Sequence, residues 1–183
     1  MESASTLFRP AFFFDRDGVV NVSPGAGYVL RVADFHLAPG IVETLVYVKS
    51  KGYALVLVTS QQGVGKGLMS QADLDDIHAG MQAALALHGV EFDAIYACTC
   101  LSEDPTCTCR KPSPEMILTA ARDHSLDVWK SWLVGDHDRD IQMARNAGIP
   151  QTIRIRSANP IRVEADHTLD STGQLCTLLR TLI

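Results

Sequence analysis

Apolar residues fall in short, nearly unbroken runs, separated by longer stretches in which they recur every three or four positions. The runs 11–15 (AFFFD), 54–59 (ALVLVT), 94–98 (AIYAC), 132–136 (WLVGD) and 152–156 (TIRIR) have the pattern of strands buried on both faces. The intervening spacing predicts helices near 40–51, 71–88, 114–124, 138–147 and 172–182. Ser70 with Asp73 three residues later predicts a capping box, and Ser113 before Pro114 an N-cap and first helical position. Gly52, Gly89 and Gly148 each follow a helical run, where a left-handed C-cap favours glycine. Strand alternating with helix predicts an α/β fold: three α/β/α layers, Rossmann-like, around a mostly parallel sheet. The stretch 18–38 fits neither period, carries glycine and proline in its middle and follows the first strand directly. It is expected to be a flap over the site, since the gaps between elements are too short for a full cap domain.

At 183 residues the chain suits one domain, read as spanning 1–183. Its net charge of -5 argues against a nucleic-acid or anionic-membrane partner, because both require a basic face. The most apolar run, 53–58, is far shorter than a bilayer crossing. The opening MESASTLFRPAFFF lacks a basic start and a small-residue cleavage site, so it reads as leading into a strand and not as a signal peptide. A cytoplasmic monomer is the expectation. Cys98, Cys100, Cys107 and Cys109 lie within twelve residues while Cys176 stands alone in an apolar helix. In a reducing compartment such a cluster points to structural zinc more than to disulfides.

In an open parallel sheet ligands bind at the carboxyl ends of the strands. Those ends carry Asp15-Arg16-Asp17, Thr59-Ser60, Asp136 with Asp138 and Asp140 behind it, and, beyond the cysteines, Arg110-Lys111. Phosphoryl transfer requires such a set. A phosphomonoester repels an anionic nucleophile, so a carboxylate needs a divalent cation to screen both. Mg2+ takes hard oxygen ligands, which Asp15, Asp136 and a backbone carbonyl near Asp17 can supply. A carboxylate nucleophile splits hydrolysis into two steps through an aspartyl-phosphate. Asp17 is near enough to protonate the leaving oxygen, Thr59 can donate to phosphate oxygens, and Lys111 can offset their charge. Asp138 and His137 read as solvated loop residues, and QQGVGKG (61–67) as a flexible helix-entry turn, since its glycine spacing matches no phosphate-loop fingerprint.

The segments FFFDRDGVV, VLVTS, RKPSPEM and VGDHDRD resemble, in order, the four motifs of the haloacid dehalogenase (HAD) superfamily. The second acid of DRD resembles its phosphatase branch. DRDGVVN, GYV, the cysteines abutting CRKP and GDxxxDIQ resemble more narrowly the histidinol-phosphate and heptose-bisphosphate phosphatases, which have a minimal cap and a zinc loop. The resemblance implies Asp15 as nucleophile, Asp17 as general acid/base, and Thr59 and Ser60 at the phosphate. It further implies Arg110 on the substrate's remaining groups, Lys111 as phosphate stabiliser, Asp136 as magnesium ligand and Asp140 as an acid behind the magnesium ligands or an outer ligand itself. Cys100 stands where those enzymes usually have histidine, and Ser60 where they commonly have asparagine. The GYV segment resembles the heptose 1,7-bisphosphate branch, which makes that small metabolite the expected substrate; the short spacer between cysteine pairs resembles the histidinol-phosphate branch, and another sugar or polyol phosphate is the third reading. Two other classes compete: a non-catalytic zinc-knuckle binding module, in which Asp15 is freely replaceable, and a receiver-like switch that holds its aspartyl-phosphate.

Overall fold

The computed structural model describes residues 8–183; the part of the N-terminal reading that concerns residues 1–7 lies outside them. Six strands form one sheet: β1 (Ala11–Phe14), β2 (Ala54–Ser60), β3 (Ala94–Cys98), β4 (Trp132–Gly135), β5 (Gln151–Ile155) and β6 (His167–Leu169). All neighbours are parallel, in the order β3-β2-β1-β4-β5-β6. Five strands agree with the apolar runs to within a residue. β6 has only three half-buried residues at the sheet edge and left no apolar run to read.

The helices are α1 (Ile41–Ser50), α2 (Gln62–Gly65), α3 (Gln71–Ala86), α4 (Glu115–His124), α5 (Asp138–Ala147) and α6 (Leu175–Leu182). They cover both faces of the sheet, as the two-sided burial of β1 requires. Phe12 and Phe14 point into a core with Ile41, Leu45, Met81 and Leu179. Ala11 and Phe13 point into the opposite core with Ile117, Ile141 and Ala144. The fold is thus a three-layer α/β sandwich. Two strands, β2 and β3, lie on one side of β1 and β4 to β6 on the other, so the chain reverses direction across the sheet between β1 and β4. That reversal is where an open α/β sheet leaves a crevice for ligands.

Local chemistry sets the element ends. Ser70 and Asp73 form the reciprocal capping box of α3. Helix α4 starts one residue later than predicted, at Glu115, with Pro114 at the cap, and the Ser113 hydroxyl accepts from the Glu115 amide at 3.3 Å. The final helix is shorter than predicted: residues 172–174 form a 3-10 turn before α6. Gly148 closes α5 in the left-handed region, at φ 86°. Residues 61–67 are not a free turn. They include α2, where Gly65 sits so close to the Thr99 carbonyl that a Cβ would overlap it. No helix among the described residues is long and apolar enough to cross a membrane.

Candidate active site

The strand order decides which side chains meet. β1 and β4 are neighbours, with Phe14 opposite Val134 in register, so the residues that follow them, Asp15 and Asp136, emerge side by side. One turn into α5, Asp140 reaches back beneath them. Carboxylate oxygens of Asp15, Asp136 and Asp140 all lie within 4.8 Å of one another, and all three residues are buried. Gly135 makes this approach possible, because a Cβ there would overlap the Asp140 side chain. Gly18, at φ 86°, allows a second one: its Cβ would stand 2.8 Å from Asp136 Oδ2.

Lys111 enters from the segment after the cysteines and donates from Nζ to Asp15 Oδ1 and Asp140 Oδ1, both at 2.7 Å. Its own burial disfavours the ammonium, but the Asp140 and Asp15 carboxylates outweigh that and hold the lysine above its ordinary pKa. Burial likewise disfavours the charged form of Asp140; Lys111 wins, and the acid stays below the usual carboxylate range. Asp140 Oδ2 also accepts from the His137 amide at 3.0 Å, so both of its oxygens are occupied. The remaining two acids are left with an excess of negative charge. Burial, only partly offset by Lys111, pushes Asp15 up to about 6. Burial and the neighbouring Asp15 and Asp140 push Asp136 up to about 7. A buried excess of hard oxygen donors and negative charge fits a small divalent cation.

Asp17 lies outside this acid cluster. Arg16 donates to it in a fork at 3.1 Å, Asn21 at 3.0 Å and Gln61 at 2.9 Å. Gln61 also accepts from Arg16 and donates to Thr59 Oγ1 at 2.8 Å, linking the ends of β1 and β2. Arg16 is fully buried. In the sequence Arg16 and Gln61 are only two of the polar residues at strand ends and Asn21 one residue of the flap segment, and none of the three carries an assigned role there.

A cleft of about 150 Å³ opens above these residues, lined by Asp15, Asp17, Ser60, Asp136, Arg139 and Asn159, with residues 23–28 as a further wall. The Ser60 hydroxyl is shielded and has no hydrogen-bond partner in the chain. Thr59 lies beneath, buried, and does not line the cleft. Arg110 turns back toward the Cys100 carbonyl at 3.3 Å and also does not line it. Two loop readings are corrected. Asp138 is no solvated turn residue: it pairs with fully buried Arg154 and accepts from the amides of Arg162 and Val163. The His137 ring caps α5, its Nδ1 accepting from the Arg139 amide at 3.3 Å.

The four clustered cysteines converge. Sulfur pairs Cys98–Cys107, Cys100–Cys109 and Cys107–Cys109 lie 3.6, 3.8 and 3.8 Å apart, and none is disulfide-bonded. Thiolates about 2.3 Å from a tetrahedral zinc are about 3.8 Å from one another, so the set fits that ion. Hydrogen bonds led by Cys100 draw Cys107 down to about 7, while burial pushes Cys98 up to about 12. Cys176 is buried in the core, away from the cluster.

Comparison with known proteins agrees with this geometry. A HAD-hydrolase-like family model matches residues 108–159, which carry Lys111, Asp136 and Asp140. D-glycero-beta-D-manno-heptose-1,7-bisphosphate 7-phosphatase of Photorhabdus laumondii is 37% identical over 164 residues, 86% of each chain. The protein of that name from Pasteurella multocida is 34% identical over 183 residues, 95% of this chain and 98% of its own. Among solved structures, the D,D-heptose 1,7-bisphosphate phosphatase of B. bronchiseptica, complexed with magnesium and phosphate, superposes with a TM-score of 0.83 at 29% identity, covering 95% of this chain and 99% of that one. With the acid cluster, its lysine and these relatives in place, the chain belongs to the HAD-like hydrolases and is a phosphatase.

Proposed function

We propose that the chain removes the 7-phosphate of D-glycero-D-manno-heptose 1,7-bisphosphate, with Asp15 as nucleophile. The observation that carries this reading is the buried meeting of Asp15, Asp136 and Asp140 around Lys111; the substrate follows the names of the relatives. Asp15, Asp136 and the Asp17 backbone carbonyl would hold Mg2+, which when bound screens the phosphate charge and polarises its oxygens. Asp140, with both oxygens occupied by Lys111 and His137, acts from the outer shell. Asp15 attacks phosphorus, the bond to the ester oxygen breaks, and Asp17 delivers a proton to that oxygen. Asp17 then takes a proton from water, whose oxygen attacks phosphorus and frees Asp15. Ser60 donates to the phosphate oxygens, Thr59 beneath it holds Gln61 in place, and Lys111 offsets the phosphate charge. Residues 18–38 serve as the flap, and the cysteines bind structural zinc that folds the segment presenting Arg110 and Lys111.

Phosphate release is measured on heptose 1,7-bisphosphate, histidinol phosphate and common sugar phosphates, all with magnesium. The heptose bisphosphate is expected to give the highest kcat/KM, and Asp15→Asn to abolish turnover with the fold intact. A variant that retains magnesium-dependent turnover rejects the nucleophile, and a preference for histidinol phosphate rejects the substrate. Elemental analysis is expected to find about one zinc per chain; a metal-free protein that melts at the same temperature rejects the structural role.

A further inference from the structure

Asp17 lines the cleft, but the side chains of Arg16, Gln61 and His78 behind it do not. All three are buried, Arg16 without any exposure. The Arg16 guanidinium donates to Asp17 Oδ1 from Nε at 3.2 Å and from Nη2 at 3.1 Å, and from Nη2 to Oδ2 at 3.1 Å. Its own pose does not depend on Asp17. Nη2 also donates to Gln61 Oε1 at 2.9 Å, and Nη1 faces His78 Nε2 at 3.4 Å. A guanidinium has no acceptor, so in that contact the ring nitrogen accepts. Burial, which lowers the His78 pKa to about 4, keeps the ring neutral for this. The backbone is fixed as well: the Arg16 carbonyl accepts from the amides of Val19, Val20 and Asn21 at 3.3, 2.8 and 3.0 Å. A buried charge is a poor device for stability alone, since well-packed apolar side chains of similar volume commonly do as well. Here the buried cation is joined to an acid that keeps 27% of its side chain exposed, on the side of the cleft.

We infer that Arg16, braced by Gln61 and His78, is a positioning residue that aims the Asp17 carboxyl at the leaving oxygen without touching the substrate. This rests on the proposed role of Asp17 as general acid/base. Proton transfer requires the carboxyl oxygen to stand within about 3 Å of the leaving oxygen, and an unrestrained aspartate samples several rotamers. The Arg16 fork selects one of them. As the ester bond breaks, the proton passes from Asp17 to the departing oxygen, and the carboxylate left behind meets the guanidinium already in place. While Asp17 carries the proton, Arg16 keeps the two neutral acceptors on Gln61 and His78, so its donors are not left bare in the core.

The test uses two esters of similar shape, phenyl phosphate and p-nitrophenyl phosphate, both in magnesium. Phenolate needs a proton to leave far more than nitrophenolate does, and kcat/KM covers only the steps up to that departure. The quantity read is kcat/KM on phenyl phosphate divided by kcat/KM on p-nitrophenyl phosphate. Relative to wild type, this ratio is expected to fall about tenfold in Asp17→Asn and about fivefold in Arg16→Met. In Arg16→Lys, which keeps the charge but not the fork, the fall is expected to be smaller, and this variant carries the test should the methionine chain fail to fold. A merely structural arginine lowers turnover of both esters alike. A ratio in the folded Arg16 variants that equals or exceeds that of wild type therefore overturns the inference, while a fall in Asp17→Asn leaves the general-acid reading standing. An unaltered ratio in Asp17→Asn removes that reading itself, and this inference with it.

Discussion

Gly135 carries no functional group, yet the acid cluster depends on it. It ends β4, and the Asp140 side chain packs where its Cβ would be. Asp140 has little freedom to retreat, since Lys111 and the His137 amide hold its two oxygens. Gly135→Ala is therefore expected to displace Asp140, loosen Lys111 and lower magnesium-dependent turnover by at least an order of magnitude, with a stability loss of about 1–3 kcal/mol. Phosphate release and urea unfolding check both; an alanine variant with wild-type activity and stability rules out this packing. At this scale the sequence is uneven as a guide. Asp15 and Asp136 are legible because an acid directly after a buried apolar strand has few other uses. Arg16 is not, because its burial is decided by Gln61 and His78, 45 and 62 residues away. Arg139 and Asp138 sit in one turn of one helix, and only the tertiary fold sends the first to the cleft and the second to Arg154.

At the scale of elements, strands and helices follow from period and caps, because burial on two faces imposes an unbroken apolar run. The cysteine segment is legible for another reason: its ligand spacing is local chemistry and needs no fold to be read. Helix α3 illustrates what remains hidden. His78 looks like any helical histidine, but it is buried against Arg16, with ring and guanidinium nitrogens 3.4 Å apart. Burial, aided by Arg16 and opposed by Asp75 and Asp17, lowers its pKa from 6.5 to about 4. The unfolded chain takes up that proton first as pH falls, so this group's contribution is intact above pH 6.5 and lost progressively toward pH 4. The loss is on the order of 3 kcal/mol, from 1.36 kcal/mol per pH unit. His78→Gln is expected to be less stable than wild type at pH 7.5 and to close most of that gap at pH 4.5, measured as urea midpoints without magnesium. A gap that is constant between the two pH values would show that His78 takes up its proton at the same pH in the folded chain as in the unfolded one.

At the scale of the whole molecule, the sheet order puts charge where a folded chain alone cannot stabilise it well. Crossovers carry β2 and β3 to one side of β1 and β4 to β6 to the other, which brings Asp15 and Asp136 together across 121 positions of sequence. Strand order is not written in any one strand, so the meeting could be anticipated from the motifs but its geometry could not. The outcome is a fold that carries an electrostatic cost until a cation arrives. Asp15 and Asp136 have ordinary values near 3.8 when unfolded and about 6 and 7 when folded. The folded state therefore holds protons that the unfolded state has released, and these two groups destabilise the metal-free protein increasingly as pH rises from about 4 to 7. Magnesium held between deprotonated carboxylates, as proposed above, would remove this cost, but below pH 6 it would have to displace protons to bind. The increase in melting temperature from saturating magnesium is thus expected to be large at pH 8 and small at pH 5, a difference on the order of 3 kcal/mol in stability. Asp136→Asn, which cannot carry the second charge, is expected to be more stable than wild type without magnesium at pH 8 and to gain little when the ion is added. Thermal melts at the two pH values, with and without magnesium, decide the point. An equal increment at both, or an asparagine variant less stable than the metal-free wild type at pH 8, would show that the two acids do not repel one another in the folded chain.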